Sequence, residues 1–342
     1  MQFDVTILGS NAAIPAYNRH PSSQVVNYNG NLFLVDCGEG SQFRMQHLNI
    51  KRGRLDNIFI SHLHGDHFFG LVPLLTSFNL NWREHPLNIY GPPGLKEIID
   101  VHFKYANTVL KYDINFHPIG ADTPRVIYDD SHLTVETIIL THRLPNTGFL
   151  FREKPAPRKI LSEKIEQYSI PYQVISDIKN GADFTTSEGN VVPNAELTCD
   201  PAAPRSYAYC SDTIYTDSFT EQIKGISTLY HEATFVHEHA ERAAETFHTT
   251  STQAAKVAEA AGAGVACRGA HAAQWRRPGH HPFARCARCH FPGSWPGGLP
   301  GVAGLCWLGA GGARTGAGRP SQADRPRVGA GGVGAAQPGG RG

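Results

Sequence analysis

No apolar run in the 342 residues approaches the roughly 18 needed to span a bilayer as a helix, so a membrane-embedded protein is not expected. The opening residues, MQFDVTILGS, carry an acid where a secretory signal has basic and then apolar residues, and a cytoplasmic location is the expectation. Cysteine is sparse. Of seven, only Cys37, Cys199 and Cys210 fall in the first 264 residues, far apart, which provides no disulfide framework and suits a reducing compartment. Lysine, isoleucine, glutamate and tyrosine are all missing from residues 265–342.

That last absence exposes a division hidden by the overall charge of +1. Through Gly264 there are 29 acidic and 21 basic residues, a net of −8; beyond it Asp324 is the one acid against ten arginines, a net of +9. The tail also holds 19 of the 35 glycines and four of the seven cysteines, with no stable hydrophobic period. Such a composition cannot bury enough apolar surface to offset the entropy of ordering its backbone, so disorder is expected there. A basic arm for nucleic acid is one reading, since arginines give salt-dependent phosphate affinity. A Cys/His module is a second: CARCH, Cys286 to His290, has the spacing of covalent haem attachment, and with His280 and His281 it has the donors of a zinc knuckle. A shifted reading frame in a GC-rich gene is the third and accounts best for a segment made of Ala, Gly, Arg and Pro.

The first 264 residues read differently. Apolar, β-branched-rich runs bounded by Gly, Pro or Asn recur, among them FDVTILGS, NLFLVDCG, NIFISH, LTVETIILTH, TGFLFRE, SYAYCSD and GISTLYHEA. Helical stretches lie between them, such as GLVPLLTSFNL, GLKEIIDVHFKYA and TSTQAAKVAEAAGAG, the last with Ala254, Val257, Ala258 and Ala261 at helical spacing and Gly262 as its stop. Sheets flanked by helices make a layered α/β domain. Four strands end in histidine or carboxylate: His62 after NIFIS, His142 after TVETIILT, Asp212 after SYAYCS, and His231 with Glu232 after STLY. A lone histidine at a strand end is ordinarily a satisfied surface residue. HLHGDH is another matter, because His62 and His64 point the same way on extended chain while Asp66 and His67 follow a glycine that permits a tight turn. Imidazoles with a carboxylate suit a borderline cation such as zinc, and four donors in six positions leave room for two metals with Asp212 as a bridge.

These residues resemble the metallo-β-lactamase superfamily and, within it, the ribonuclease Z family of tRNA 3′-endonucleases, over about residues 1–264. SHLHGDH alone fits other members, such as thioester and lactone hydrolases. YHEATF and FHTTSTQAA are similar to the family's HEAT and HST motifs, and GSNAAIPAYNRHPSS to the loop that meets the tRNA end. The resemblance implies a four-layer αββα fold, a β-sandwich flanked by helices, and a dimer acting on precursor tRNA. It implies two Zn2+ ions per chain held by His62, His64, Asp66, His67, His142 and Asp212, with metal-activated hydroxide attacking a phosphodiester. Asp66 is then the proton acceptor, His248 the proton donor to the leaving oxygen with Glu232 or a threonine orienting it, and Arg19 a substrate contact. The insertion at about 152–207 corresponds to an arm that grips the tRNA elbow, where Arg152, Lys154, Arg158, Lys159 and Lys164 face phosphates or form a solvated charged surface.

Three features depart from the family pattern. Tyr17 and His20 stand where Lys and Asn are common, and the arm lacks a Gly-Pro signature. After Gly262 the family has an apolar strand leading to a last zinc-binding histidine; here GVACRGAHAAQWRR follows, with His271 near the expected place but without that strand. The expectation is a domain incomplete at its C-terminal end. The alternatives to tRNA cleavage are hydrolysis of a thioester or lactone, or an impaired tRNA-binding product lacking the last ligand.

Overall fold

A computed structural model describes residues 2–14, 19–270, 289–290 and 304–307. The first sheet contains β1 (Phe3–Gly9), β2 (Ser23–Tyr28), β3 (Asn31–Cys37), β4 (Leu55–Phe59), β5 (Leu87–Gly91) and β6 (Ile114–Pro118) in that spatial order. β1 to β3 form an antiparallel meander, and β3 to β6 run parallel. Parallel neighbours need crossover connections, and the helices Ser41–His47, Leu71–Leu80 and Gly94–Tyr105 lie in these connections. The second sheet starts with β7 (Val126–Asp129), β8 (Leu133–Leu140) and β9 (Asn146–Glu153), all antiparallel. An arm with four two-residue strands follows: β10 (Lys159–Ile160), β11 (Phe184–Thr185), β12 (Val191–Val192) and β13 (Thr198–Cys199). The chain then returns through β14 (Ser206–Cys210), antiparallel to β9, and β15 (Thr228–Ala233), parallel to β14.

Period-two alternation in the central strands produces the layers. In β3, Leu32 and Leu34 pack outward with Met45, Leu71, Leu74 and Leu95, while Phe33 and Val35 face the other sheet. In β14, Tyr207 and Tyr209 face inward, while Ala208 and Cys210 meet Val257, Ala258 and Ala261 outside. Helices, sheet, sheet, helices is the expected αββα order. Its centre is aromatic: Phe59 stacks on Tyr90 at 4.6 Å and lies 5.4 Å from Phe149 and 5.8 Å from Phe151. With Phe59 fully buried, Phe59→Ala removes packing that the rigid sheets cannot refill, and we expect a loss of about 3–5 kcal/mol in denaturant unfolding. A shift below about 1 kcal/mol would contradict a close-packed sandwich.

The helix Ser251–Ala260 follows its sequence signals. Thr250 and Gln253 form a reciprocal capping box, Ala254, Val257 and Ala258 are buried, and Gly262 turns the chain at φ +60. The next residues correct an expectation. The strand expected to be missing after Gly264 is present as β16 (Val265–Ala270), parallel to β15 in the register Thr228↔Val265 to Ala233↔Ala270. Its start alternates as a strand must, with Cys267 in the inter-sheet core and Ala266 on the helix side. Those few residues suffice because the preceding helix is the crossover that delivers them beside β15. Two short strands of the tail pair with the sheets: β17 (Cys289–His290) with β1 and β18 (Gly304–Trp307) with β16. Residues 271–288, which contain His271, His280, His281 and most of CARCH, lie outside the described residues.

The arm packs around its own cluster of Ile170, Ile178, Phe184, Val192 and Leu197, and it carries the helix Ser162–Gln167. Four of the five basic residues singled out there have protein partners. Arg158 pairs with Asp200, Lys164 with Glu196 at 3.2 Å and Lys154 with Asp129, while Arg152 donates to Gln222 O at 2.6 Å. Exposed pairs of this kind are worth no more than about 1 kcal/mol, so phosphate competes for these cations at little cost.

Candidate metal centre

The polar strand ends meet at one edge of the sandwich. β4 runs on through Ile60 and Ser61 to His62, and the helix Gly65–Phe68 then presents Asp66 and His67 in its first turn. β8 delivers His142 and β14 delivers Asp212. His62, His64, His142 and Asp212 place one donor atom each within 4.8 Å of one another. His64 Nδ1 lies 3.0 Å from His62 Nε2 and 3.1 Å from His142 Nε2. The Oδ2 atom of Asp212 stands 3.9 Å from His62 Nε2, 3.6 Å from His67 Nε2 and 4.0 Å from His142 Nε2. Asp66 Oδ2 completes the group, 3.7 Å from His67 Nε2.

Hydrogen bonds behind the rings set which nitrogen faces the centre. His142 Nδ1–H donates to Phe247 O at 2.9 Å, and His67 Nδ1–H donates to Asp36 Oδ2 at 2.7 Å. Ser61 Oγ donates to Asp36 Oδ2 at 2.9 Å and so accepts from His62 Nδ1–H at 3.0 Å. Each of the three rings therefore turns its Nε2 inward. His67 Nε2 is fully buried and has no hydrogen-bond partner. Burial holds His62, His64 and His142 below the usual imidazole range, His62 the furthest, as neutral ligands require. Burial also works to lower His67, but the charges of Asp212 and Asp36 on either side override it and hold it well above that range. Burial likewise works to raise Asp212, yet the ring of His67 keeps it well below the usual carboxylate range. A positive charge between these carboxylates is what the site favours. Ring nitrogens 3.0 and 3.1 Å apart are close to the roughly 3.3 Å that tetrahedral zinc imposes on ligands at 2.0–2.1 Å, so the donors fit a metal ion.

Asp36 is a residue the sequence reading passed over. It is fully buried at the end of β3, in the left-handed region at φ +54, and it accepts from Ser61 N, Ser61 Oγ, His67 Nδ1 and Tyr209 OH. The signal was available: NLFLVDCG closes on a carboxylate as the other site strands do. Asp36→Asn weakens the acceptor that orients His67, and we expect metal affinity to drop about 10–100-fold in a chelator competition. An unchanged affinity would show that Asp36 serves the fold alone. Next to it, Gly38 has no room for a side chain, since an added Cβ would lie 2.5 Å from both Asp66 O and Pro21 Cβ. This contact ties the loop after Arg19 to the centre, with Ser22 O accepting from Gly38 N at 3.0 Å. Arg19 itself is half-buried at the start of that turn.

His248 flanks His142 at a ring separation of 5.2 Å, and its Nδ1–H donates to Glu232 Oε1 at 3.1 Å. Glu232 is buried and held by Thr213 N, Thr249 N, Thr234 N and Thr234 Oγ1. Burial works to lower His248, but Glu232 overrides it and raises its pKa. His231 does not join the site. It alternates to the helix side of β15, where it stacks on Phe219 and donates to Glu232 O at 2.7 Å.

The family model described as Anti-Pycsar protein Apyc1 matches residues 3–108. Ribonuclease Z of Bacteroides thetaiotaomicron is 47% identical over 257 residues, 75% of this chain and 81% of that protein. Ribonuclease Z of Phocaeicola vulgatus is 45% identical over 260 residues, 76% of this chain and 84% of that protein. Among solved structures, human tRNase Z, short form, superimposes with a TM-score of 0.58 at 27% identity, covering 78% of this chain and 91% of that one.

Proposed function

The chain belongs to the ribonuclease Z family, and from that premise we propose that it is an endoribonuclease that removes the 3′ trailer of precursor tRNA with two zinc ions. The observation that carries the reading is the convergence of six imidazole and carboxylate side chains on one sheet edge, with the His248–Glu232 pair beside them. His62, His64, His142 and Asp212 would hold one zinc, and Asp66, His67 and Asp212 the other, Asp212 being shared. The fit rests on donor chemistry, on the orphaned His67 Nε2 and on the close approach of ring nitrogens. Ions bound there supply the Lewis acidity that makes water nucleophilic near neutral pH and offsets charge on a phosphodiester.

The chain's own groups handle the protons. Asp66, partly exposed at the rim, orients the attacking water and accepts its proton. His248 gives a proton to the departing 3′ oxygen of the tRNA; with Nδ1 committed to Glu232, its Nε2 is the donor. Four hydrogen bonds from threonines hold Glu232 still, so the imidazole is oriented before substrate arrives. That apparatus suits an alkoxide, which needs a proton to leave, and is superfluous for a thiolate, which does not. Arg19, before the loop tied to Gly38 and Asp66, would meet the RNA end, and the arm's cations phosphates farther away.

A homodimer fits the exposed apolar side chains of Phe43, Leu80, Ile98, Val101 and Tyr105 on three helices, with Phe69 in the turn before the second, and a cytoplasmic location fits the substrate. Incubation with labelled precursor tRNA and, separately, with a thioester tests the reading. Release of the trailer, leaving a 3′-hydroxyl on the tRNA, is expected; thioester hydrolysis without RNA cleavage would overturn it.

A further inference from the structure

A cavity opens beside the metal centre. It has a volume of about 400 Å³, and its lining includes Ser61, Leu63, Ile119, Ala121, Leu144 and Pro145. Its walls are the immediate neighbours of three ligands: Ser61 and Leu63 bracket His62, Leu63 also precedes His64, and Leu144 follows His142 by two residues. The walls come from both sheets and are fixed to each other. Thr147 N donates to Ser61 O at 3.2 Å, and Ile119 N donates to Gly91 O at 2.9 Å. Proline rings have no rotamers to lose, and Ser61 turns its hydroxyl away to Asp36. The lining is therefore rigid and almost wholly apolar. None of the reacting groups named above needs it.

We infer that this pocket receives the nucleobase immediately 3′ to the scissile phosphate, the first residue of the trailer. The inference rests on the tRNA-cleaving reading above. Every base has an apolar face whatever its sequence, and a rigid apolar slot next to a phosphodiester-cleaving centre is a sequence-tolerant way to grip single-stranded RNA. The side is set by the proton donor. The oxygen leaving with the tRNA body faces His248, whose nearest site neighbour is His142 at 5.2 Å between rings. His142 in turn stands 4.9 Å from His64, and Leu63 lies beyond, between His62 and His64. The pocket is thus on the far side of the imidazoles from His248 and from the oxygen that departs with the tRNA body, which leaves it to the trailer strand.

The test uses the full-length zinc-loaded protein and precursor tRNAs that carry an abasic residue, ribose and phosphate intact, either at the first trailer position or at the last position before the cut. Wild-type kcat/KM is expected to drop about tenfold with the first substitution and to change little with the second. Ala121→Trp and Leu144→Trp fill the slot from different walls. Each should bring the intact substrate down to the rate of the abasic one, while hydrolysis of bis(p-nitrophenyl) phosphate, which has no base to seat, stays within twofold and reports an intact centre. Equal wild-type rates on intact and first-position abasic substrates would overturn the inference. So would a loss confined to the position before the cut, or retained discrimination in both tryptophan variants. A wild-type protein that hydrolyses bis(p-nitrophenyl) phosphate but cleaves no precursor tRNA would overturn the tRNA-cleaving reading itself, and this inference with it.

Discussion

Asp212→Asn should reduce trailer cleavage to background and leave the protein holding fewer zinc ions than wild type after dialysis. The substitution keeps the shape of the side chain and removes one negative charge. That charge sits 3.6 to 4.0 Å from three ring nitrogens, His62, His67 and His142, and no other carboxylate among the described residues reaches both halves of the centre. Without it the Asp66 and His67 half retains two donors, too few for a stable zinc site. The fold should survive, because Asn146 Nδ2 holds position 212 through its backbone carbonyl at 2.6 Å and not through the carboxylate. Metal analysis and a cleavage assay on the same preparation check this. Full metal content with wild-type cleavage would show that Asp212 is not a ligand.

His248→Ala is the second large effect, and it should be selective. Loss of the proton donor costs about 10²–10⁴-fold on precursor tRNA, whose 3′ oxygen is a poor leaving group. On bis(p-nitrophenyl) phosphate, which releases a stable phenolate, the same variant should stay within a few-fold of wild type, with metal content unchanged. Glu232→Gln should follow the same pattern with a smaller loss, since the imidazole remains but loses the carboxylate that raises its pKa. Equal losses on both substrates would instead make His248 a support for His142 or for the loop that carries it.

Much of this centre was legible because its residues obey local rules. HLHGDH combines extended chain, a glycine turn and a helix start in six positions, and His142 and Asp212 each close an apolar run, so topology brings them to the same edge. Asp36 obeys the same rule and was still passed over, because its importance lies in contacts to Ser61, His67 and Tyr209, the last 173 residues away. Strand alternation separates His231 from Glu232, but which of two neighbours faces the site depends on the register of β15 in its sheet. The arm's ion pairs are also long-range, Lys164 with Glu196 and Arg158 with Asp200, so its charges read as free until the chain is folded. β16 was hidden differently. A glycine- and alanine-rich composition masks a strand whose pairing comes from the helix before it and β15 beside it, neither of which is a property of its own residues.

The central claim is that this edge of the sandwich is a zinc-dependent centre for tRNA 3′ processing. It is tested most directly by incubating the purified chain with 5′-labelled precursor tRNA, first with a zinc chelator and then with zinc restored. The prediction is one cut at the start of the trailer, leaving a 3′-hydroxyl, abolished by the chelator and recovered with zinc. Absence of that cut in zinc-replete protein, or a cut that persists when zinc is withheld, would contradict it.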